Sequence, residues 1–292
     1  MSDISFDLVA LKKAGMIQQK QKEYFAMRLH AVGGDFTAEQ MKKVAYVAET
    51  FGRGQIHLST RQGIEIHFVH YSNLEIARKE LEGAGIEMGT CGPRIRIIAA
   101  CPGETTCKWG IIDTKAIAHD LDEKHFREET PYKFKLAVTG CPHNCAKASE
   151  NDIGVMGGIE PAWDSSVCAD CGLCVDSCPM SAIQKIDEGY VRDTSKCISC
   201  SICTSSCPAE AWKPARHGFI LWIGGTMGKT PRLATRLPGI IESKDELYSL
   251  IDRAIEYYRR NGRKRERFGH TIDRIGVKKV KEEILHGNDI EP

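Results

Sequence analysis

The chain has no long apolar run, no excess of either charge and no intact phosphate loop, and each absence narrows what it does. Its longest apolar stretch, GFILWIGG from Gly218, is far too short to cross a bilayer, which takes about 20 residues. The N-terminus, MSDISFDLVALKKAGMIQQK, lacks a basic start followed by a long apolar core, so no secretory leader is expected and the chain is read as cytoplasmic. With 40 basic against 39 acidic residues the net charge is +1, which gives no ground for a nucleic-acid partner. Gly224, Gly225 and Gly228 before Lys229 and Thr230 miss the G-x4-G-K-[ST] frame, and no flavin or nicotinamide motif appears. Electrons for any redox chemistry must therefore come from an external donor.

What the chain does have is 13 cysteines. Eight form one pattern written twice: Cys168, Cys171, Cys174 and Cys178-Pro179, then Cys197, Cys200, Cys203 and Cys207-Pro208. This C-x2-C-x2-C-x3-C-P spacing is that of a two-cluster bacterial ferredoxin, and thiolates this close in an intracellular chain hold metal rather than disulfides. The fourth cysteine of such a run ligates the other cluster. One [4Fe-4S] cluster is thus expected on Cys168, Cys171, Cys174 and Cys207, and a second on Cys197, Cys200, Cys203 and Cys178. A carrier of this kind needs only a fraction of the 292 residues, so it serves something else in the same chain. Upstream stand Cys101-x5-Cys107 and Cys141-x3-Cys145, four thiolates for a third cluster. Cys91 is left over and is read as a buried small hydrophobe. Clusters of this type imply an anoxic or well-reduced cytosol.

The two upstream pairs, in ACPGETTCKWG and TGCPHNCAKASEND, resemble the sirohaem-containing sulfite and nitrite reductase family. That resemblance implies that Cys145, the last of the four, bridges cluster and sirohaem iron. STRQGIEIH carries a turn like the family's at Thr60, Arg61 and Gln62, which implies that Arg61 faces the carboxylates of sirohaem. The resemblance assigns Arg28, Arg96, Lys133 and Lys135 to the substrate pocket, a cationic cup for an oxyanion. Arginines hold oxygens in fixed geometry, and lysines both attract charge and relay protons. Lys133 and Lys135 stand at i and i+2 of an expected strand and share a face; Arg94 and Arg96 do the same, which makes Arg94 a competing candidate. Arg259, Arg260, Arg263, Lys264, Arg265 and Arg267 form a basic run, read as a solvated helix end, with a sirohaem-carboxylate or acidic-partner contact as the other reading.

The expected fold is α+β. Residues 1–100 form a ferredoxin-like domain, read from Lys22 as strand, helix, two strands, helix, strand, with Thr37-x-x-Gln40 opening the first helix and Ser72 capping the second. Residues 101–160 and 215–292 form an α/β sirohaem and cluster domain. Here Asp113 to Glu129 is expected as helix, and Lys133 to Thr139, Ile153 to Met156 and Gly218 to Gly225 as strands. Residues 161–214 form the inserted ferredoxin module, with prolines at both borders. Ser243-x-x-Glu246 caps a last helix whose Leu247, Leu250, Ile251, Ala254 and Ile255 recur at core spacing.

One departure from the family matters. Larger members carry two copies of the reductase unit, with the cup from one copy and the cysteines from the other, and only one copy is present here. The resemblance therefore implies a homo-oligomer with cross-chain sites, the cup of one chain facing the sirohaem on Cys145 of another. The function it implies is six-electron reduction of sulfite to sulfide, fed by a ferredoxin or a dedicated reductase subunit. Reduction of nitrite, and a non-catalytic electron-transfer subunit of a larger reductase, remain the alternatives.

Overall fold

The computed structural model describes residues 7–287; residues 1–6 of the stretch read for a leader, and the extreme ends of the expected terminal segments, lie outside that range. Near the N-terminus, α1 (Leu8–Lys13) is capped by Asp7 and leads into β1 (Met16–Gln18) and β2 (Tyr24–Arg28). Then come α2 (Ala38–Phe51), β3 (Ile56–Leu58), β4 (Ile64–His70) and α3 (Leu74–Glu82). α2 opens on the expected capping box: Thr37 Oγ1 accepts from the Gln40 N–H, and the Gln40 side chain accepts from the Thr37 N–H. The antiparallel sheet runs β1-β2-β4-β3, and Val44, Val47 and Ala48 of α2 with Leu74, Ala77 and Leu81 of α3 share one buried core with Met27, Ile64 and Ile66.

Two local expectations fail here. The strand expected after α3 does not join this sheet; Met88 makes a single bridge to Leu29, and β1 takes the place beside β2. Ser72 does not cap α3. Its Oγ lies 2.8 Å from His70 Nδ1, inside a short turn that His70 itself caps, and Asn73 holds the N-cap position without a side-chain hydrogen bond.

The chain continues through β5 (Ala99–Ala100), α4 (Thr114–His125), β6 (Leu136–Thr139) and β7 (Ile153–Trp163). A small lobe follows, with α5 (Leu173–Asp176), a hairpin of β8 (Ile183–Ile186) and β9 (Gly189–Arg192), and α6 (Ile202–Ser205). The return passes along β10 (Trp212–Ile223) and β11 (Thr235–Arg236) to α7 (Lys244–Asn261), α8 (Phe268–Ile275) and α9 (Val277–His286). The second sheet runs β11-β10-β7-β6-β5, with β5, β6 and β7 parallel and β10 antiparallel to β7.

β7 and β10 are longer than their sequence suggests. They pair from Ile153 and Ile223 to Trp163 and Trp212, running straight through Pro161 and Pro214, which face each other across the ladder. A proline cannot donate to the ladder, and two opposed prolines are tolerated only where neither N–H was needed; the register shifts just beyond, between Pro214 and Arg216. The lobe therefore projects from the end of a long ribbon. Ser243 Oγ accepts from the Glu246 N–H at the start of α7, and Leu247, Leu250, Ile251, Ala254 and Ile255 are all buried against the sheet. Each of the Leu and Ile side chains contributes about 1.5–3 kcal/mol on burial. By contrast the lobe's own core is five buried side chains, two of them Cys174 and Cys203. Among the described residues no helix is long and apolar enough to cross a membrane.

Candidate active site

Arg96 lies just before β5, Lys133 and Lys135 just before β6, Arg28 ends β2, and Arg61 stands in the turn from β3 to β4. These five cations, with Lys12 from α1, line one cavity of about 390 Å³. Lys12 was invisible to motif reading, because nothing in LVALKK distinguishes it from a helix-end lysine. Arg94 does not line the cavity and reaches Glu129 at 3.4 Å instead, so of the two alternating arginines it is Arg96 that points inward.

The arginines are held in place. Arg28 donates Nε and Nη2 to Glu65 Oε1 at 2.8 and 2.6 Å, and Nη1 to Cys91 Sγ at 2.7 Å. Arg96 donates to the carbonyls of Thr90 at 3.1 Å and Gly92 at 3.0 Å. Cys91 is buried, as expected, but it also forms part of the cavity wall and accepts from Arg28. Burial lowers Arg96 despite the neighbouring Cys91 sulfur, and its Nε is buried without a partner. Burial, reinforced by Arg61, Arg267 and Lys133, lowers Lys135 to about 8. A lysine lowered this far gains and loses its proton closer to neutral pH than an exposed one.

Arg61 has a second task. Its guanidinium donates to Asn151 Oδ1 at 2.5 Å and to the carbonyls of Ile97 at 2.8 Å and Leu136 at 2.9 Å, so it ties the N-terminal layer to the segment leading into β5 and to β6. Burial lowers it to about 10. Gln62 completes the tie, its amide donating to the Ala100 carbonyl and accepting from the Ala100 N–H, both at 2.8 Å. This fixes the residue immediately before Cys101.

The basic run divides. Arg267 is buried and bidentate on Asp152, whose carboxylate also accepts from the Lys135 N–H at 2.9 Å. Burial pushes Asp152 up, while Arg267 and that N–H pull it back. Arg259 pairs with Glu128 at 2.8 Å; Arg260, Arg263, Lys264 and Arg265 are exposed. The run thus mixes a core ion pair with a solvated end, and no spacing rule separates them.

Cys101, Cys107, Cys141 and Cys145 gather at the other end of the same strands. Gly140 N–H donates to Cys101 Sγ at 3.0 Å, Cys141 Sγ lies 3.3 Å from His143 Nδ1, and Cys145 is exposed. Burial raises the Cys141 thiol, with the Cys101, Cys145 and Cys107 sulfurs adding to the effect. Because β5 and β6 are parallel, cations precede them and thiolates follow them. At about 3.3 Å per residue, Lys135 and Gly140 are about 16 Å apart.

In the lobe the two cysteine runs fold alike. Asp170, Gly172 and Ser181 in the first have positive φ, and so do Ser199, Ser201 and Glu210 at the same places in the second. The Ala182 N–H donates to Cys178 Sγ at 3.3 Å and the Ala211 N–H to Cys207 Sγ at 3.2 Å. One hollow is lined by Cys168, Cys171, Cys174 and Cys207, and the other by Cys178, Cys197, Cys200 and Cys203. Each hollow thus takes three cysteines from one run and the fourth from the other. Burial pushes Cys203 up to about 12, with Cys200 and Cys197 adding to it. Burial also acts on Cys207, but the N–H groups of Trp212, Ala211, Ala209 and Glu210 outweigh it and hold this thiol below its usual range. Among the described residues no three His, Cys, Asp or Glu side chains converge on a single ion.

Two glycines bring the thiolate sites together. A Cβ on Gly157 would lie 2.2 Å from the Gly140 carbonyl oxygen, and one on Gly158 would lie 2.5 Å from Ile220 Cδ1 and 3.3 Å from Ser199 Cβ. Consecutive residues of a strand face opposite sides of the sheet. β7 therefore touches the Cys141 turn on one side and the Cys197–Cys200 loop on the other, with little more than backbone between them.

Comparison with known proteins gives this architecture a family. Residues 91–289 match the nitrite and sulphite reductase 4Fe-4S domain, and residues 17–84 the nitrite/sulfite reductase ferredoxin-like half domain. The chain belongs to the nitrite and sulfite reductase family. It is 32% identical over 272 residues to the coenzyme F420-dependent sulfite reductase of Methanocaldococcus jannaschii, a match covering 92% of this chain but only 43% of that protein. It is 30% identical over 282 residues to one of the subunits of the anaerobic sulfite reductase of Salmonella typhimurium, covering 89% of this chain and 83% of that protein. The crystal structure of dissimilatory sulfite reductase I shares the fold, with a TM-score of 0.74 at 21% identity over 92% of this chain and 72% of that one.

Proposed function

We propose that this chain is a sulfite reductase, taking sulfite to sulfide with six electrons at a sirohaem held between two copies of itself. The observation that carries this is the single cavity lined by Lys12, Arg28, Arg61, Arg96, Lys133 and Lys135, a site for a polyanion and an oxyanion together. It favours catalysis over a purely electron-carrying role, which needs no such cavity. The domain plan follows: a ferredoxin-like domain to residue 100, a sirohaem and cluster domain of residues 101–160 and 215–292, and a two-cluster module inserted at 161–214.

The residues fit the groups implied. The lobe's two four-cysteine hollows and the four N–H groups on Cys207 suit [4Fe-4S] clusters, and a five-residue core alone does not account for the lobe's order. Cys101, Cys107, Cys141 and Cys145 would hold the third cluster, with Cys145 shared with the sirohaem. When bound, these groups supply low-potential electrons and an iron that takes sulfite through sulfur. The protein's part is binding and proton delivery. Arg28 and Arg96, already oriented by Glu65, Cys91, Thr90 and Gly92, grip substrate oxygens without reorganising. Lys133 and Lys135 stand beside them, and Lys135, lowered to about 8, surrenders a proton to a departing oxygen and regains it from solvent. The separation of about 16 Å between cup and thiolates along one sheet supports a site completed by a second copy. An external ferredoxin or reductase subunit supplies the electrons.

The test is the composition and turnover of anoxically purified protein. Four irons for each of three clusters, one further iron with one extractable tetrapyrrole per chain, and sulfide as product are expected. Ammonia from nitrite with no sulfide from sulfite would move the assignment to nitrite. Lobe iron without tetrapyrrole would leave only an electron carrier, and a stable active monomer on a sizing column would remove the shared site.

A further inference from the structure

The lobe contains its own control, because the same cysteine loop occurs twice in two surroundings. In the inner site, Cys178, Cys197, Cys200 and Cys203, the loop lies against the reductase sheet. Ser199 is 6% exposed, its carbonyl accepts from the Ile159 N–H at 3.1 Å, and Gly158 lets it come close. In the outer site, Cys168, Cys171, Cys174 and Cys207, the equivalent residues Ala169, Asp170 and Cys171 are all exposed. Val167 and Leu173, on either side of Cys171, are each 45% exposed, whereas Ile202, at the place equivalent to Leu173, is half-buried.

Charge divides the two sites in the same way. Around the outer site the repeat carries Asp170, Asp176 and, after Cys207, Glu210. At the three equivalent places around the inner site it carries Ser199, Ser205 and Ser181. Lys185 neutralises Asp170 at 2.6 Å, but neither Asp176 nor Glu210 has an ion-pair partner among the described residues. Residues 164–211 hold seven acidic and three basic side chains, a formal charge of −4 in a chain of +1, so the remainder carries +5.

We propose that the outer site is where the electron donor docks, on an apolar contact of Val167 and Leu173 beside Cys171 with an acidic rim of Asp176 and Glu210. Its partner is a small one-electron carrier protein that presents basic side chains around its own exposed redox centre. Each encounter oxidises that centre by one electron and reduces the outer cluster by one, and the inner site, against Gly157 and Gly158, is the exit. The proposal rests on the reading of the lobe as a two-cluster module. Its own content is the polarity of that module and the charge of the partner.

The experiment uses the iron-loaded full chain and a small basic cytochrome as the probe, with a small acidic flavoprotein as the opposite probe. Binding is measured by calorimetry at low and high salt, and contacts are mapped by carbodiimide crosslinking, which joins carboxylates to lysines in contact. The basic probe is expected to bind at least tenfold more tightly at low salt than at about 0.5 M salt. Its crosslinks should fall on Asp176 and Glu210, and Asp176→Lys with Glu210→Lys should weaken it about tenfold or more. Glu39→Lys, on α2, serves as the charge control and should change binding little. Reduced enzyme should pass electrons to the probe with the same salt and variant dependence. Tighter binding of the acidic probe, crosslinks confined to other carboxylates, or equal effects of the control and rim variants would each overturn the proposal. Iron analysis separates the two readings: a lobe without iron fails the module, whereas a loaded lobe without these dependences fails the docking face. If the double variant loses iron, the crosslink map and salt dependence of the unaltered chain decide.

Discussion

Lys135 offers the sharpest test of the cup. Burial first, and then the charges of Arg61, Arg267 and Lys133, bring it to about 8 from the usual 10.5. A group with a pKa of about 8 is about 90% protonated at pH 7 and about 3% at pH 9.5. If an anion in the cavity needs the charged form, its affinity falls about thirtyfold over that interval, or about 2 kcal/mol. Nitrite is a suitable ligand because it does not itself titrate there, and its binding can be followed by the tetrapyrrole absorption of the loaded enzyme. Lys135→Met should bind more weakly at pH 7 and lose the slope. A flat profile in the unaltered protein, or the same slope in the variant, would refute the reasoning. The folding linkage has the opposite sense. The folded chain resists protonation, so the penalty is full below about pH 8, shrinks as pH rises and is gone above about 10.5. The full shift corresponds to about 3 kcal/mol; halved for screening of a side chain that is only half-buried, it leaves Lys135→Met about 1.5 kcal/mol more stable at pH 7.

Three further outcomes are expected. Asp152→Ala leaves Arg267 buried without its partner and frees the Lys135 N–H, and should lose about 3–5 kcal/mol by thermal or denaturant unfolding; under about 1 kcal/mol would show that the pair is not buried in solution. Cys207→Ser should reproduce the iron loss of Cys171→Ser, and Cys178→Ser that of Cys200→Ser, by iron analysis and electron paramagnetic resonance; the reverse matching would undo the crossed ligation. Glu266, accepting from Arg274 and from the Arg263 N–H and Thr271 hydroxyl, is held down at about 2, so it favours folding above about pH 4.5 and the gain is lost as pH falls through about 2. Glu266→Gln should remove that part of the acid transition in melting curves taken from pH 6 to pH 2, and an unchanged transition would assign it elsewhere.

The sequence was most legible where chemistry forces spacing. Ligand runs have fixed intervals, so the spacing already grouped the eight lobe cysteines that line two hollows of four, and Thr37 with Gln40 marked a helix start because that interaction is confined to four residues. The α7 stripe was readable for the same reason, since helical period and burial coincide. Orientation was less legible. Arg94 and Arg96 share a face in the sequence pattern, yet Glu129 draws one out and the Thr90 and Gly92 carbonyls hold the other in. Arg61 was expected at a cofactor and also proves to be a structural tie, because its three acceptors come from residues 36 to 90 positions away. Ser72 failed as a cap because His70 starts a turn ahead of it, and Pro161 and Pro214 suggested breaks where the ribbon sets them face to face. Arg267 looked like one more surface arginine until Asp152, 115 residues away, came to meet it.

On the proposed shared site, the separation of cations and thiolates to opposite ends of the parallel strands β5 and β6 makes stoichiometry part of the chemistry. A chain whose two half-sites point in opposite directions has a head and a tail. Head-to-tail joining would extend without limit unless the rotation happened to close, whereas a twofold pairing satisfies both halves at once and stops at two chains. Such a closed pair would gain or lose its two sites together, so that on dilution specific activity would fall with dissociation rather than hold steady, and half-assembled protein would contribute nothing. Under that proposal copy number is tied to oxyanion chemistry: a cell making less of the chain than the pair's dissociation constant requires would have electron carriers but no reductase.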